Sequence, residues 1–177
     1  FTIALIATLG GLLFGYDTAV ISGAEQSLQK YLTADYGSFI HGMTVSSALI
    51  GCVIGGLLSS SFSSRLGRKR SLQVASVLFI ISALLSGYPE FIFFEPGQST
   101  LGLLLMFNCY RILGGIGVGL ASAISPMYIS EISPSSIRGT LVSWNQFAII
   151  FGMLVVYFVN YGITFGETQQ WIDSTGW

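Results

Sequence analysis

Five runs of about 20 mostly apolar residues dominate this sequence, each long enough to cross a bilayer core as a helix. They cover about 1–23, 42–62, 71–88, 100–124 and 140–163. None alternates apolar and polar residues at strand spacing, which argues against a transmembrane barrel. Charged residues make up 8% of the chain and hydrophobic ones 52%, whereas a soluble domain is about 25% charged. The expected fold class is an all-α membrane protein with five transmembrane helices, solvated by the lipid bilayer. The chain opens on Phe1, inside an apolar run, with no initiator Met and no basic leader. No cleavable signal is visible, and a fragment is expected.

Charge orients the bundle. Arg65, Arg68, Lys69 and Arg70 lie between the second and third runs, and Arg138 lies between the fourth and fifth. The positive-inside rule makes that side cytoplasmic, which puts the amino terminus in the cytoplasm as well. Glu25, Asp35, Glu90, Glu95, Glu167 and Asp173 all fall in the opposite loops.

Several functions are excluded at this stage. Seven basic and eight acidic residues leave no basic footprint for nucleic acid. Cys52 and Cys109 sit in apolar stretches and read as packing residues, so neither a disulfide nor a metal site is expected. The lone His41 stands at a helix start without a Ser/His or paired-Asp arrangement, so an intramembrane enzyme is not expected. Gly115, Gly117 and Gly119 lie within an apolar helix with no strand before them, so they read as packing and not as a dinucleotide loop. No cofactor is implied.

Glycines four apart (Gly11 and Gly15, Gly51 and Gly55, Gly115 and Gly119) predict close helix contacts. The stretch Gly10-Gly11-Leu12-Leu13-Phe14-Gly15 also echoes Gly114-Gly115-Ile116-Gly117-Val118-Gly119. Such a correspondence between helices one and four is what a three-plus-three repeat gives.

Asp17 and Arg111 are ionisable residues inside spans, where charge is costly and faces a partner or a water-filled cavity. At about 1.5 Å per residue, Asp17 lies roughly 9 Å from the outer end of its run near Gly23, and Arg111 about 16 Å from its own near Thr100. These depths differ by about one turn, within reach of long side chains. The pair is either a titratable carboxylate beside a guanidinium or a permanent salt bridge joining two helices. Gln146, Met153 and Asn160 fall on one stripe of helix five, beside Ile150 and Tyr157. That stripe either lines a site or bonds another helix. Asn145 points elsewhere.

Taken in order, these motifs resemble the amino-terminal half of a sugar porter of the major facilitator superfamily, nearest the bacterial xylose–proton symporters. The resemblance rests on Phe14-Gly15-Tyr16-Asp17-Thr18, Arg65-Leu66-Gly67-Arg68-Lys69 and Arg111-Ile112-Leu113-Gly114-Gly115. It continues through Pro126-Met127-Tyr128-Ile129-Ser130-Glu131, Ile137-Arg138-Gly139 and Asn145-Gln146-Phe147. It implies a major-facilitator-type bundle, with residues 1–177 as an incomplete amino-terminal domain and the carboxy-terminal half missing. Sugar would bind between the two halves. Asp17 would carry the proton beside Arg111. Phe14, Gln146 and the position of Met153 would line the sugar site, and Arg65, Arg68, Glu131 and Arg138 would form a cytoplasmic charge network. Two positions depart from the family pattern: Ser64 replaces an acid or amide, and Met153 replaces a second glutamine. The implied function is proton-coupled transport of a monosaccharide, pentose or hexose, by alternating access in a bacterial inner membrane. The alternatives are a sugar uniporter, a facilitator of another small polar solute, or a non-transporting fragment.

Overall fold

The computed structural model describes residues 2–31, 33, 37–87 and 101–166. Phe1 and the predicted outer acids Asp35, Glu90, Glu95, Glu167 and Asp173 lie outside the described residues.

Five helices are described: α1 Thr2–Tyr31, α2 Gly37–Leu66, α3 Arg68–Gly87, α4 Leu101–Ile132 and α5 Arg138–Gly166. Among the described residues, α2, α3, α4 and α5 each contain a segment long and apolar enough to cross a membrane. The helices outrun most of the predicted spans, because hydropathy tracks the hydrocarbon core while backbone hydrogen bonding continues into the interface. At α4 the predicted run stops near Ile124, while the helix continues through Pro126 to Ile132. Ile124, Ser125 and Ile129 are fully buried on either side of that proline. Packing therefore holds the helix through a residue that lacks one backbone donor. Between α2 and α3 the chain reverses at Gly67, whose φ of 79° is a left-handed conformation suited to glycine.

α4 is the hub, with its inward positions buried against α1, α2 and α3. Close approach is the organising principle, because in lipid the helices associate by tight packing and not by the hydrophobic effect. A Cβ on Gly11 would meet the Asn145 carbonyl of α5, and one on Gly115 would meet the Ala48 carbonyl of α2. Gly15 faces Ile149 as Gly119 faces Cys52, and Gly152 faces Leu12 as Gly55 faces Ile116. Every pair maps onto the next by one register that superposes α1 on α4 and α2 on α5. The glycine echo is thus a structural repeat.

Candidate functional site

The repeat is close in geometry but not in chemistry. Under the register that carries Gly11 to Gly115, Asp17 corresponds to Ala121 and Arg111 to Ala7. One crossing level of α1 and α4 therefore holds two alanines, and the other holds two charges.

At the charged level the Arg111 Nη1 donates to Asp17 Oδ1 at 3.0 Å. Both side chains are largely buried, Arg111 12% exposed and Asp17 14%. The pair predicted from the cost of intramembrane charge is thus formed. The depth estimate for Asp17 used an end near Gly23, and α1 continues to Tyr31. The two charges nevertheless meet. A buried pair costs desolvation energy that its attraction only roughly offsets, so fold stability alone is a weak reason for it. The Arg111 Nε is buried without a hydrogen-bond partner among the described residues. The pair borders a cavity of about 260 Å³, lined also by Tyr16, Phe79, Ser82, Ser86 and Phe107.

At the other level the polar group is neutral. Ser125 donates its hydroxyl to the Ala7 carbonyl at 2.5 Å and lies 3.1 Å from Asn145 Oδ1. Ser125 is fully buried and Asn145 is 5% exposed. The node ties α1, α4 and α5 together where Gly10 and Gly11 bring the backbones close. Sequence reasoning missed it, since Asn145 gained meaning only once α1 stood opposite. A polar residue one position from a glycine-packed face was the available signal.

The polar stripe of α5 divides. Gln146 is exposed and Met153 half-buried, while Asn160 turns to α1 and packs its side chain against Gly23. Trp144, Phe147 and Phe151 form a neighbouring aromatic row, with ring centroids 5.6 and 6.0 Å apart. An exposed glutamine between membrane helices is costly against lipid but suits a wet cavity or a partner. Phe14 lies elsewhere, half-buried beside a groove of about 600 Å³ between α1, α3 and α4, with Gly10, Leu13, Gln73, Phe79 and Tyr128. Gln146 and Met153 are not among the residues lining that groove.

The arginine loops share one end of the bundle. Arg68 opens α3 and binds Glu131, near the end of α4, at 2.8, 3.0 and 3.3 Å through Nη2 and Nε. Its Nη1 also donates to Ser63 of α2. Arg65 and Arg138 are exposed, and neither pairs with a charged group among the described residues. Cys52 and Cys109 are free thiols. No group of metal-ligating side chains is found among the described residues.

Residues 3–177 match the family described as "Sugar (and other) transporter". The chain belongs to the sugar transporter family. Its relatives within that family are transporters and not enzymes. It is 51% identical to the D-xylose-proton symporter of Escherichia coli K12 over 189 aligned residues, covering 100% of the chain and 38% of that protein. It is 40% identical to the arabinose-proton symporter of Bacillus subtilis, covering 99% of the chain and 35% of that protein. The inward-open structure of the xylose transporter XylE from E. coli superposes with a TM-score of 0.92 at 52% identity, over 100% of the chain and 43% of XylE. The chain therefore spans under half the length of these sugar transporters, and its five helices are a major facilitator amino-terminal bundle in an integral membrane protein.

Proposed function

We propose that the transporter containing this chain carries a monosaccharide, pentose or hexose, across a bacterial inner membrane together with a proton. Its arginine loops and amino terminus face the cytoplasm. The observation that carries this reading is the buried Asp17–Arg111 pair on the asymmetric level of an otherwise repeated α1–α4 crossing. The Asp17 carboxylate is bonded to the Arg111 guanidinium, and helix motion that parts the pair would free the carboxylate oxygen. Asp17 thus serves as proton carrier and Arg111 as its partner. Similarity to two sugar–proton symporters supports the same assignment.

Sugar recognition needs donors and acceptors for hydroxyls and a flat apolar surface. Gln146 offers the amide, Phe14 the ring, and Met153 a thioether that packs well and accepts hydrogen bonds weakly. The carboxy-terminal half completes the site. Arg68 and Glu131 supply a formed contact at the cytoplasmic end, and Arg65 and Arg138, which pair with no charged group among the described residues, are available to that second half. Together they latch the halves when the site faces outward.

The test is a proton signal. Adding D-xylose outside proteoliposomes of the full-length transporter should transiently raise external pH as protons enter with sugar. Sugar exchange without any pH change would refute symport and leave facilitated diffusion.

A further inference from the structure

Between the carboxylate at Asp17 and the end of the bundle opposite the arginine loops lies a set of polar side chains with no role so far. Glu25 of α1 is 57% exposed at that end. His41, near the start of α2, stands 3.9 Å from it through Nε2, and its Nδ1 is 2.9 Å from the hydroxyl of Thr33. One turn further in is Thr44, fully buried, whose hydroxyl donates to the Ile40 carbonyl at 3.0 Å. That hydroxyl in turn accepts from Asn108 Nδ2 of α4 at 3.4 Å. One turn beyond Asn108 is Arg111, bonded to Asp17.

These residues share unmet hydrogen bonding. His41 Nε2, Asn108 Oδ1 and Arg111 Nε are each buried and have no hydrogen-bond partner among the described residues. A buried polar atom left unpaired costs about 1–3 kcal/mol, so such atoms in a native fold usually hold water. Three of them on adjoining turns, stepped from the exposed Glu25 inward, suit a file of waters spaced at hydrogen-bond distance. Beside the file Leu28, Leu104 and Phe107 form a buried apolar plug, flanked by Ile40 and Val45. An imidazole can take a proton on one nitrogen and release it from the other, which suits His41 to the mouth of such a file.

We propose that His41, Thr44 and Asn108 line the outer proton route to the Asp17–Arg111 pair, separate from the path of the sugar. This rests on the symport reading above. His41, Thr44 and Asn108 are positioning residues, since they hold water and touch neither sugar nor Asp17.

The test compares two activities of the full-length transporter in proteoliposomes, with D-xylose as the probe. One is accumulation driven by a pH gradient, and the other is sugar exchange at equal pH, which needs no net proton entry. Asn108→Leu fills the water position with an apolar side chain. It should slow accumulation by about tenfold, about 1.4 kcal/mol on the barrier to proton entry, and leave exchange intact. Asn108→Ser, which keeps a hydroxyl and leaves room for water, should recover most of the rate. His41→Phe and Thr44→Val should also slow accumulation and spare exchange. Should Asn108→Leu lose both activities through misfolding, those two variants decide. Unchanged accumulation in His41→Phe and Thr44→Val overturns the route. A wild-type protein that exchanges D-xylose but never accumulates it overturns symport itself, a distinguishable failure.

Discussion

Replacing Gly15 with alanine should separate α1 from α5. A Cβ built there would lie 1.9 Å from the Ile149 carbonyl oxygen, so the backbones must part by about 1.5 Å to reach ordinary contact. The obstacle is backbone, so no rotamer change relieves it. Overpacking of this kind costs about 1–3 kcal/mol, and the upper end applies when helices must move as bodies. Alanine returns about 1 kcal/mol through its better helix propensity, leaving a net loss of about 2 kcal/mol. Gly56, on α2, has nothing within 4 Å of its Cβ position, so Gly56→Ala keeps only the favourable propensity effect. The repeat extends the prediction, because Gly119 faces the Cys52 carbonyl at 2.3 Å and Gly119→Ala should also destabilise. Thermal unfolding of the full-length transporter in detergent, without sugar, reads the difference. Gly15→Ala and Gly119→Ala should melt several degrees below wild type, and Gly56→Ala at or above it. A Gly15→Ala protein as stable as Gly56→Ala would refute close approach as the basis of assembly.

Two further outcomes follow from the charge network and from α5. Glu131→Gln should change unfolding stability by less than about 1 kcal/mol, since both partners are partly exposed and screened. It should nevertheless shift the full-length protein toward inward-open states in spin-label distance measurements, and unchanged populations would remove Glu131 from the latch. Gln146→Ala should weaken sugar binding in calorimetry by about 1–3 kcal/mol, the cost of an unsatisfied buried partner. Met153→Gln should alter the preference between pentoses and hexoses. If neither α5 change affects affinity or preference, α5 does not line the sugar site.

Features resting on an energetic penalty were the most legible in the sequence. Charge in lipid singled out Asp17 and Arg111, and they meet. Recurring glycines marked close contacts, although which helix each faced needed the fold. Clustered arginines located Arg68, but its ties to Glu131 and Ser63 depended on how α2, α3 and α4 converge. Neutral polar residues were the least legible. Asn108, Ser125 and Asn145 carry no periodic signature, and their partners Thr44 and Ala7 stand on other helices. Seven-residue spacing placed Asn160 on one stripe with Gln146, yet Asn160 packs against Gly23 of α1 because α5 stays close to α1 at that level. Helix ends were misjudged for a different reason. Hydropathy ends at the interface, and the hydrogen-bonded backbone does not.

The assignment of Asp17 as proton carrier is tested most directly by Asp17→Asn in the full-length transporter. Asparagine is close to the carboxylate in shape and can still accept from Arg111, but it cannot bind and release a proton. D-xylose exchange at equal pH should persist, since Asp17 borders the cavity at Arg111 and not the α5 positions assigned to sugar. Accumulation driven by a pH gradient should disappear. Loss of exchange and accumulation together would mark the pair as a structural salt bridge. Gradient-driven accumulation that survives with an unchanged pH dependence would contradict proton carriage by Asp17.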